Sequence, residues 1–200
     1  MNESEQPPEK KGPTPLPAET VTFLMTDIEG NVRLWEASPD LMRRALMRHD
    51  ALADGITTRH GGRQIKSRGE GDSLFLVFPA VEDAVAAACA LQQAYGAEPW
   101  PTASPLRVRM ALHAGEAEPR DGDYYGGAVN RCARLRAAAH GGQVLLSATA
   151  GDLVRAGLSP PSRPAGPGAA PPAGSGPPAA GLSARPPRLA VRVPPAPLSG

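Results

Sequence analysis

Residues 20–30, TVTFLMTDIEG, contain the pattern around which the rest of the chain is organised. Valine, phenylalanine, leucine and methionine dominate its first half and would project to both faces of an extended chain, which predicts a buried β-strand. The strand ends in an acidic turn that begins at Asp27 and breaks at Gly30. A carboxylate held at the mouth of a rigid strand suggests a site for a metal ion or a polar substrate.

The composition narrows the classes of function. The chain has 200 residues, with 21 basic and 20 acidic side chains, so its formal net charge is +1 and gives no reason to expect a nucleic-acid or membrane partner. Two cysteines, Cys89 and Cys132, do not make a disulfide framework and favour a reducing compartment. The sequence contains neither a signal-peptide pattern nor an apolar run of about 18 residues. We therefore expect a soluble, cytoplasmic protein.

Proline is concentrated at both ends of the chain. Residues 1–18 are charged and proline-rich, and residues 158–200 consist mostly of Pro, Ala, Gly, Arg and Ser without a sustained helical or strand period. Both segments are predicted to be disordered. The folded domain is predicted to span residues 19–157.

Between these ends, the hydrophobic periodicity predicts alternating strands and helices. After the opening strand, strands are predicted at 63–67, 73–78, 106–112 and 143–146, and helices at 38–60, 81–95, 127–139 and 148–155. The strands at 63–67 and 73–78 form a hairpin. The order β, α, β, β, α, β is typical of the α+β class with a ferredoxin-like, split βαβ arrangement, in which an antiparallel sheet carries helices on one face.

A second acid, Asp72, stands at the end of the GEGD turn of that hairpin. The split βαβ arrangement places this turn beside the end of the first strand, so Asp27 and Asp72 can meet. Two adjacent carboxylates repel unless a cation lies between them, and hard oxygen ligands suit Mg²⁺ or Mn²⁺ shared with substrate phosphates. Acids at strand ends are also commonly solvated or turn-forming. Spacing alone leaves a metal site and an ordinary polar turn as open alternatives.

A third segment, residues 123–134 (DYYGGAVNRCAR), places Asn130 and Arg134 four residues apart on one face of a predicted helix. An amide and a guanidinium that project together would suit a ribose and a phosphate undergoing substitution. An ordinary surface helix also carries such residues, so this segment has meaning only together with the two acids.

Taken together, the three segments resemble the catalytic domain of class III adenylate/guanylate (nucleotidyl) cyclases, particularly the bacterial subgroup with FTDIEGS and GEGDS motifs. Here they stand as FLMTDIEGNVRLWE, RGEGDSLFLVF and DGDYYGGAVNRCARL, followed by HGGQVLLS, and the resemblance covers about residues 20–157. It implies an enzyme that converts a nucleotide to its 3′,5′-cyclic form with loss of pyrophosphate. It also implies a homodimer whose sites are each shared between two subunits.

The resemblance also implies roles for individual residues. Asp27 and Asp72 match the metal aspartates, with the Ile28 carbonyl as a further ligand, and the site is expected to hold two Mg²⁺ or Mn²⁺ ions. Asn130 matches the asparagine that orients the ribose, and Arg134 matches the arginine on the reacting phosphate.

Two further positions govern the choice of purine in the family. Arg68 falls where adenylate cyclases have lysine, and Asp123 matches the adenylate-type acceptor for the adenine 6-amino group, so ATP is expected over GTP. The chain departs from the family at Asn31 and Val32, where Ser-Thr is usual after the first metal aspartate. We expect this departure to affect affinity more than reaction type.

The end of the chain departs further. Family members continue after the last helix with an arm and a final strand, and nothing in residues 159–200 resembles that segment, so the C-terminal strands are expected to be missing. This departure supports an alternative function, a catalytically impaired cyclase-homology domain that acts as a dimerisation or nucleotide-sensing module. The complete set of matched site residues favours the active enzyme. A diguanylate cyclase is disfavoured because its GGDEF signature is absent.

Overall fold

The computed structural model describes residues 20–65, 72–158 and 189–192. The strands in these ranges are β1 (Val21–Ile28), β2 (Arg63–Ile65), β3 (Phe75–Phe78), β4 (Val108–Gly115), β5 (Glu118–Arg120), β6 (Asp123–Tyr125), β7 (Gln143–Leu146) and β8 (Leu189–Arg192). The helices are α1 (Asn31–Ala37), α2 (Pro39–Arg59), α3 (Val81–Ala97), α4 (Gly127–Ala137) and α5 (Ala148–Leu158). None of these described helices combines the length and apolar character needed to cross a membrane.

The main sheet of the described residues has the order β2-β3-β1-β4-β7-β8. β1 pairs antiparallel with both β3 and β4, β2 pairs antiparallel with β3, and β7 joins β4 in parallel. The predicted hairpin is therefore present as β2 and β3, and the predicted α+β class with a split βαβ arrangement is confirmed. β5 and β6 form a separate two-stranded sheet, in a region for which no strand was predicted from the sequence.

β1 lies at the centre of the sheet because both of its faces are apolar. All eight of its residues are buried. Successive side chains of a strand point to opposite faces. Phe23 and Met25 accordingly join the core on one face, and Leu24 and Ile28 join the core on the other. A strand of this kind needs cover on both faces of the sheet.

The helices are divided unequally between the two faces of the sheet. α2, α3 and α5 contribute to the core that contains Leu24, whereas α4 packs against Phe23 through Val129, Cys132 and Leu135. The prediction that the helices lie on one face of the sheet is thus correct for α2, α3 and α5 and wrong for α4. It was wrong because it did not account for the second apolar face of β1, which α4 covers.

β8 is a further departure from the sequence prediction. It pairs antiparallel with β7, at the edge of the sheet. No strand was predicted in residues 159–200. This prediction is wrong for residues 189–192. The rest of the segment lies outside the described residues. Four residues of mixed composition carry too little periodicity to be recognised, and β8 forms because β7 offers it a ladder of backbone hydrogen bonds.

Gly62 lies in the connection between α2 and β2 and provides a test of core packing. A Cβ at this position would overlap the ring of Phe78, which is fully buried. We expect Gly62→Ala to lower the free energy of unfolding by about 1–3 kcal/mol, because overpacking forces core side chains out of position. Gly55→Ala is the matched control: Gly55 lies within α2 with open space around it, so alanine should raise stability by roughly 0.5–1 kcal/mol. Urea denaturation measures both changes, and equal effects of the two substitutions would contradict this packing.

Candidate active site

Asp27 and Asp72 lie at neighbouring positions where β1 ends and β3 begins. The β1–β3 pairing extends through a hydrogen bond from the Thr26 N–H to the Leu74 carbonyl at 3.0 Å. The Ser73 hydroxyl then donates to Asp27 Oδ1 at 3.0 Å, which brings the adjacent Asp72 to the same edge of the sheet. Both aspartates are buried, with 8% and 7% of their surface exposed. The structure therefore brings the two predicted acids together.

The Ile28 carbonyl faces the same edge. The Glu29 N–H binds the Arg107 carbonyl on the β4 side at 2.8 Å. Backbone groups of successive residues in an antiparallel strand point to opposite sides. The carbonyl of Ile28 consequently points to the β3 side, where Asp72 lies. Two carboxylates and one main-chain carbonyl form a set of hard oxygen donors, which is the chemistry that Mg²⁺ and Mn²⁺ prefer.

The two buried carboxylates receive unequal compensation for their charge. Arg109, directly opposite Asp27 in the β1–β4 register, donates from Nε to Asp27 Oδ2 at 2.6 Å and contacts the same oxygen through Nη2. Asp72 accepts a hydrogen bond from the neutral side-chain amide of Asn31. Within the described residues, no cationic side chain pairs with Asp72. Because a buried, uncompensated carboxylate is costly, a divalent cation fits this position.

The side chains that the structure describes do not by themselves complete a metal site here. In the described ranges, no group of three or more His, Cys, Asp or Glu residues is placed to hold a metal ion. Any ion bound by Asp27 and Asp72 would therefore need further oxygen ligands, such as the Ile28 carbonyl, water or a phosphate of the substrate. Magnesium sites in nucleotide enzymes commonly have this composition.

Three residues that contact the acids, Ser73, Arg109 and Asn31, were not predicted as part of the metal site. In the sequence, Arg109 is a polar residue in the alternating pattern of a strand, and only the β1–β4 register shows that it faces Asp27. Asn31 was expected to weaken a polar contact to substrate. Its side chain instead bridges Asp72 and the Val32 N–H, which donates to Asn31 Oδ1 at 2.6 Å.

Asn130 and Arg134 are both exposed on α4. Asn130 lines a cleft between α4 and the ends of β1 and β3, together with Ser73, Ala133 and Arg136. Arg134 forms no hydrogen bond or ion pair with any residue that the structure describes. The structure thus places Asn130 in the cleft that borders the acids, whereas Arg134 is exposed on α4.

The structure describes one of the two residues predicted to bind the purine. Asp123 begins β6, shortly before α4, and its Oδ1 accepts the Tyr124 N–H at 2.7 Å. Arg68 lies outside the described residues. The pairing of Arg68 with Asp123 therefore stays a prediction.

Cys132 lies between Asn130 and Arg134 in sequence but has a different role. Its thiol contacts the carbonyls of Phe23 and Ala111 at 3.6 and 3.4 Å, inside the core. Burial raises the pKa of the Cys132 thiol to about 12, so the thiolate needed for nucleophilic chemistry is scarce near neutral pH. Cys132 holds α4 on the sheet.

Known proteins with similar sequences include cyclases and uncharacterised relatives. The sequence model of a family described as the adenylate and guanylate cyclase catalytic domain matches residues 15–160. An uncharacterised protein of Mycobacterium tuberculosis is 44% identical over 138 residues, which cover 69% of this chain and 46% of that protein. An adenylate cyclase of Podospora anserina is 32% identical over 158 residues, which cover 66% of this chain and 7% of that protein. The chain spans about half the length, or less, of these curated relatives.

Solved structures agree with the sequence matches. Adenylate cyclases from Trypanosoma brucei in their monomeric state superpose with a TM-score of 0.64 at 27% identity, over 70% of this chain and 76% of that chain. The guanylate cyclase domain of RhGC from Catenaria anguillulae in complex with GTP has a TM-score of 0.62 at 20% identity, over 69% and 83% of the two chains; at this identity it shows the fold alone. Since the family match extends over most of the sequence and the fold agrees, the chain belongs to the adenylate and guanylate cyclase catalytic domain family.

Proposed function

We propose that the protein is a nucleotidyl cyclase that converts ATP, and less readily GTP, to the 3′,5′-cyclic nucleotide and pyrophosphate. The reaction takes place at the interface of a homodimer, with two Mg²⁺ or Mn²⁺ ions per site. The observation that carries the proposal is the pair of buried carboxylates, Asp27 and Asp72, at neighbouring strand ends, of which only Asp27 has a cationic partner among the described residues. This arrangement suits a divalent cation together with a polyphosphate.

Residues around the two acids orient the metal-binding carboxylate of Asp27 before substrate binds. Asp27, Asp72 and the Ile28 carbonyl would hold the cations, which would supply acidification of the attacking hydroxyl and neutralisation of charge on the phosphate oxygens. Ser73 and Arg109 fix the two oxygens of Asp27. Partners of this kind orient metal ligands and limit the reorganisation needed during the reaction.

The reaction is an intramolecular substitution at phosphorus. The 3′-oxygen of the ribose loses its proton and attacks the α-phosphorus in line with the bridging oxygen of the leaving group. The bond from the α-phosphorus to that bridging oxygen breaks, and its electron pair leaves with pyrophosphate. Because nucleophile and electrophile belong to one molecule, the contribution of the protein is alignment and stabilisation of charge.

Asn130 and Arg134 would act on substrate bound to the acids of a second subunit. The exposure of Arg134, and the absence of any partner for it among the described residues, support a role outside its own chain. A guanidinium binds phosphate oxygens through two parallel hydrogen bonds, and an asparagine amide can both donate to and accept from a ribose. The two side chains would therefore hold the reacting phosphate and the sugar.

Asp123 is the basis for proposing ATP as the preferred nucleotide. Its carboxylate can accept a hydrogen bond from the 6-amino group of adenine, whereas guanine presents a carbonyl at that position and would place two acceptors face to face. Arg68 is proposed to donate to a ring nitrogen of the same base.

A second candidate function is a catalytically impaired domain that binds nucleotide or mediates dimerisation. The ion pair between Arg109 and Asp27 favours it, because the guanidinium neutralises the Asp27 carboxylate in the folded chain without a bound cation. This candidate predicts nucleotide binding without turnover.

The two candidates are separated by a product assay on the purified chain. We expect the protein with Mn²⁺ and ATP to form cyclic AMP, with GTP to form less cyclic GMP, and with EDTA to form neither, as measured by chromatography of the products. Absence of cyclic product from both nucleotides, with nucleotide binding retained in a calorimetric titration, would contradict the proposed enzyme and support the binding module.

A further inference from the structure

Arg136, near the end of α4, is half-buried beside the acidic site and has no assigned role. Its Nη1 lies 3.5 Å from the Thr26 carbonyl and 3.4 Å from Ser73 Oγ. Its Nε is buried and has no hydrogen-bond partner among the described residues. Removing a guanidinium from water is costly unless its N–H groups find partners. Among its described neighbours, the Ser73 hydroxyl is the one that also contacts Asp27.

The Ser73 hydroxyl connects Arg136 to Asp27. A serine hydroxyl has one proton to donate and two lone pairs that accept. Ser73 donates to Asp27 Oδ1 at 3.0 Å, and Arg136 Nη1 approaches the same hydroxyl as a donor. Two groups cannot both donate along one O–H direction, so the guanidinium keeps the hydroxyl proton directed at Asp27. The rotation of the Ser73 hydroxyl is thereby restricted.

Asp27 is then held at both carboxylate oxygens. Oδ1 accepts from Ser73, and Oδ2 accepts from Arg109 Nε at 2.6 Å. Oδ2 is also contacted by Arg109 Nη2, so the further lone pair available to a cation is on Oδ1. The plane of the carboxylate, and therefore the direction of the lone pair left for a cation, depends on both hydrogen bonds. Loss of the restraint at Oδ1 would leave Asp27 free to turn about its bond to the backbone.

We propose that Arg136 is a positioning residue for the metal carboxylate Asp27 and acts through Ser73. This inference rests on the proposed function, because it assumes that Asp27 binds a divalent cation. It adds a residue of α4 to the support of the metal site, although α4 lies on the opposite side of the sheet from the other helices. Groups that orient a metal ligand in this way commonly change metal affinity by about 10- to 100-fold when removed.

The test measures Mn²⁺ affinity of the full chain without nucleotide, from the electron paramagnetic resonance signal of free Mn²⁺. We expect Arg136→Met, which keeps the apolar stem and removes the donors, to weaken Mn²⁺ binding by about 10-fold or more. Arg131→Met is the matched control, since Arg131 is exposed on the same helix and its loss changes the net charge equally. It should leave Mn²⁺ affinity as in the unmodified protein. Arg136→Gln, whose shorter amide does not reach Ser73, should repeat the loss if Arg136→Met unfolds.

The dependence on Ser73 is tested by combining substitutions. We expect Ser73→Ala to weaken Mn²⁺ binding, and Arg136→Met to add little to that loss in the Ser73→Ala background. Equal losses from Arg136→Met with and without Ser73 would overturn the inference, because they would show that Arg136 does not act through Ser73.

Failure of this inference is distinguishable from failure of the proposed function. If Asp27→Asn weakens Mn²⁺ binding and Arg136→Met does not, Arg136 has no positioning role and the proposed enzyme stands. If Arg136→Met weakens binding as expected but the unmodified protein forms no cyclic product, the positioning role is supported and the proposed enzyme is contradicted.

Discussion

Asp72→Asn is expected to lower the rate of cyclic-nucleotide formation by at least about 100-fold while the chain stays folded. Asp72 is buried and accepts a hydrogen bond from the Asn31 amide. Asparagine has nearly the same volume, so the site keeps its shape, but it removes the negative charge that would hold a divalent cation. The measurement is the initial rate of cyclic AMP formation at saturating Mn²⁺ and ATP.

A matched substitution separates the metal site from a general loss of charge. Asp54 is exposed on α2, so Asp54→Asn makes the same chemical change at the surface and should leave the rate unchanged. Thermal melting of both variants reports whether they are folded. A rate for Asp72→Asn that matches that of Asp54→Asn would show that Asp72 binds no catalytic cation.

Arg134→Ala is expected to lower kcat by about 100- to 1,000-fold with little change in KM, because a donor aimed at the charge that develops on the reacting phosphate acts mainly in the transition state. Arg134 is exposed and makes no hydrogen bond or ion pair within the described part of the chain. Its removal should therefore cost little stability. The kinetic constants are obtained from initial rates over a range of ATP concentrations.

Arg131→Ala serves as the control for Arg134→Ala. Arg131 is also exposed on α4, but the cyclase resemblance assigns it no role in the reaction. We expect Arg131→Ala to keep the kcat of the unmodified protein. A higher KM with unchanged kcat in Arg134→Ala would mean that the arginine binds the ground state only, and the proposed role at the reacting phosphate would be wrong.

The centre of the fold could be predicted because β1 combines two apolar faces with an acidic end in one short stretch. Hydrophobic period gives the type of an element and its amphipathic face, but it does not say which side of a sheet that face covers. The placement of α4 opposite α2, α3 and α5 therefore required the structure. β8 is the opposite case, since its formation depends on the ladder offered by β7 and not on its own sequence.

The candidate site also contains residues that could be placed from the sequence and residues that required the structure. Asp27 and Asp72 could be placed together from the split βαβ order alone, and the chain brings them to one edge of the sheet. Arg109 and Arg136 could not be assigned from the sequence, because their neighbours lie on other elements and depend on register and helix orientation.

The central claim is that each active site is shared by two copies of the chain, with the acids from one copy and Arg134 from the other. Mixing Asp72→Asn subunits with Arg134→Ala subunits tests it most directly. With random pairing, half of the dimers would be mixed, and each mixed dimer would hold one intact site of two, so the mixture is expected to recover about a quarter of the unmodified activity. Activity that stays at the level of the two separate variants would contradict a shared site.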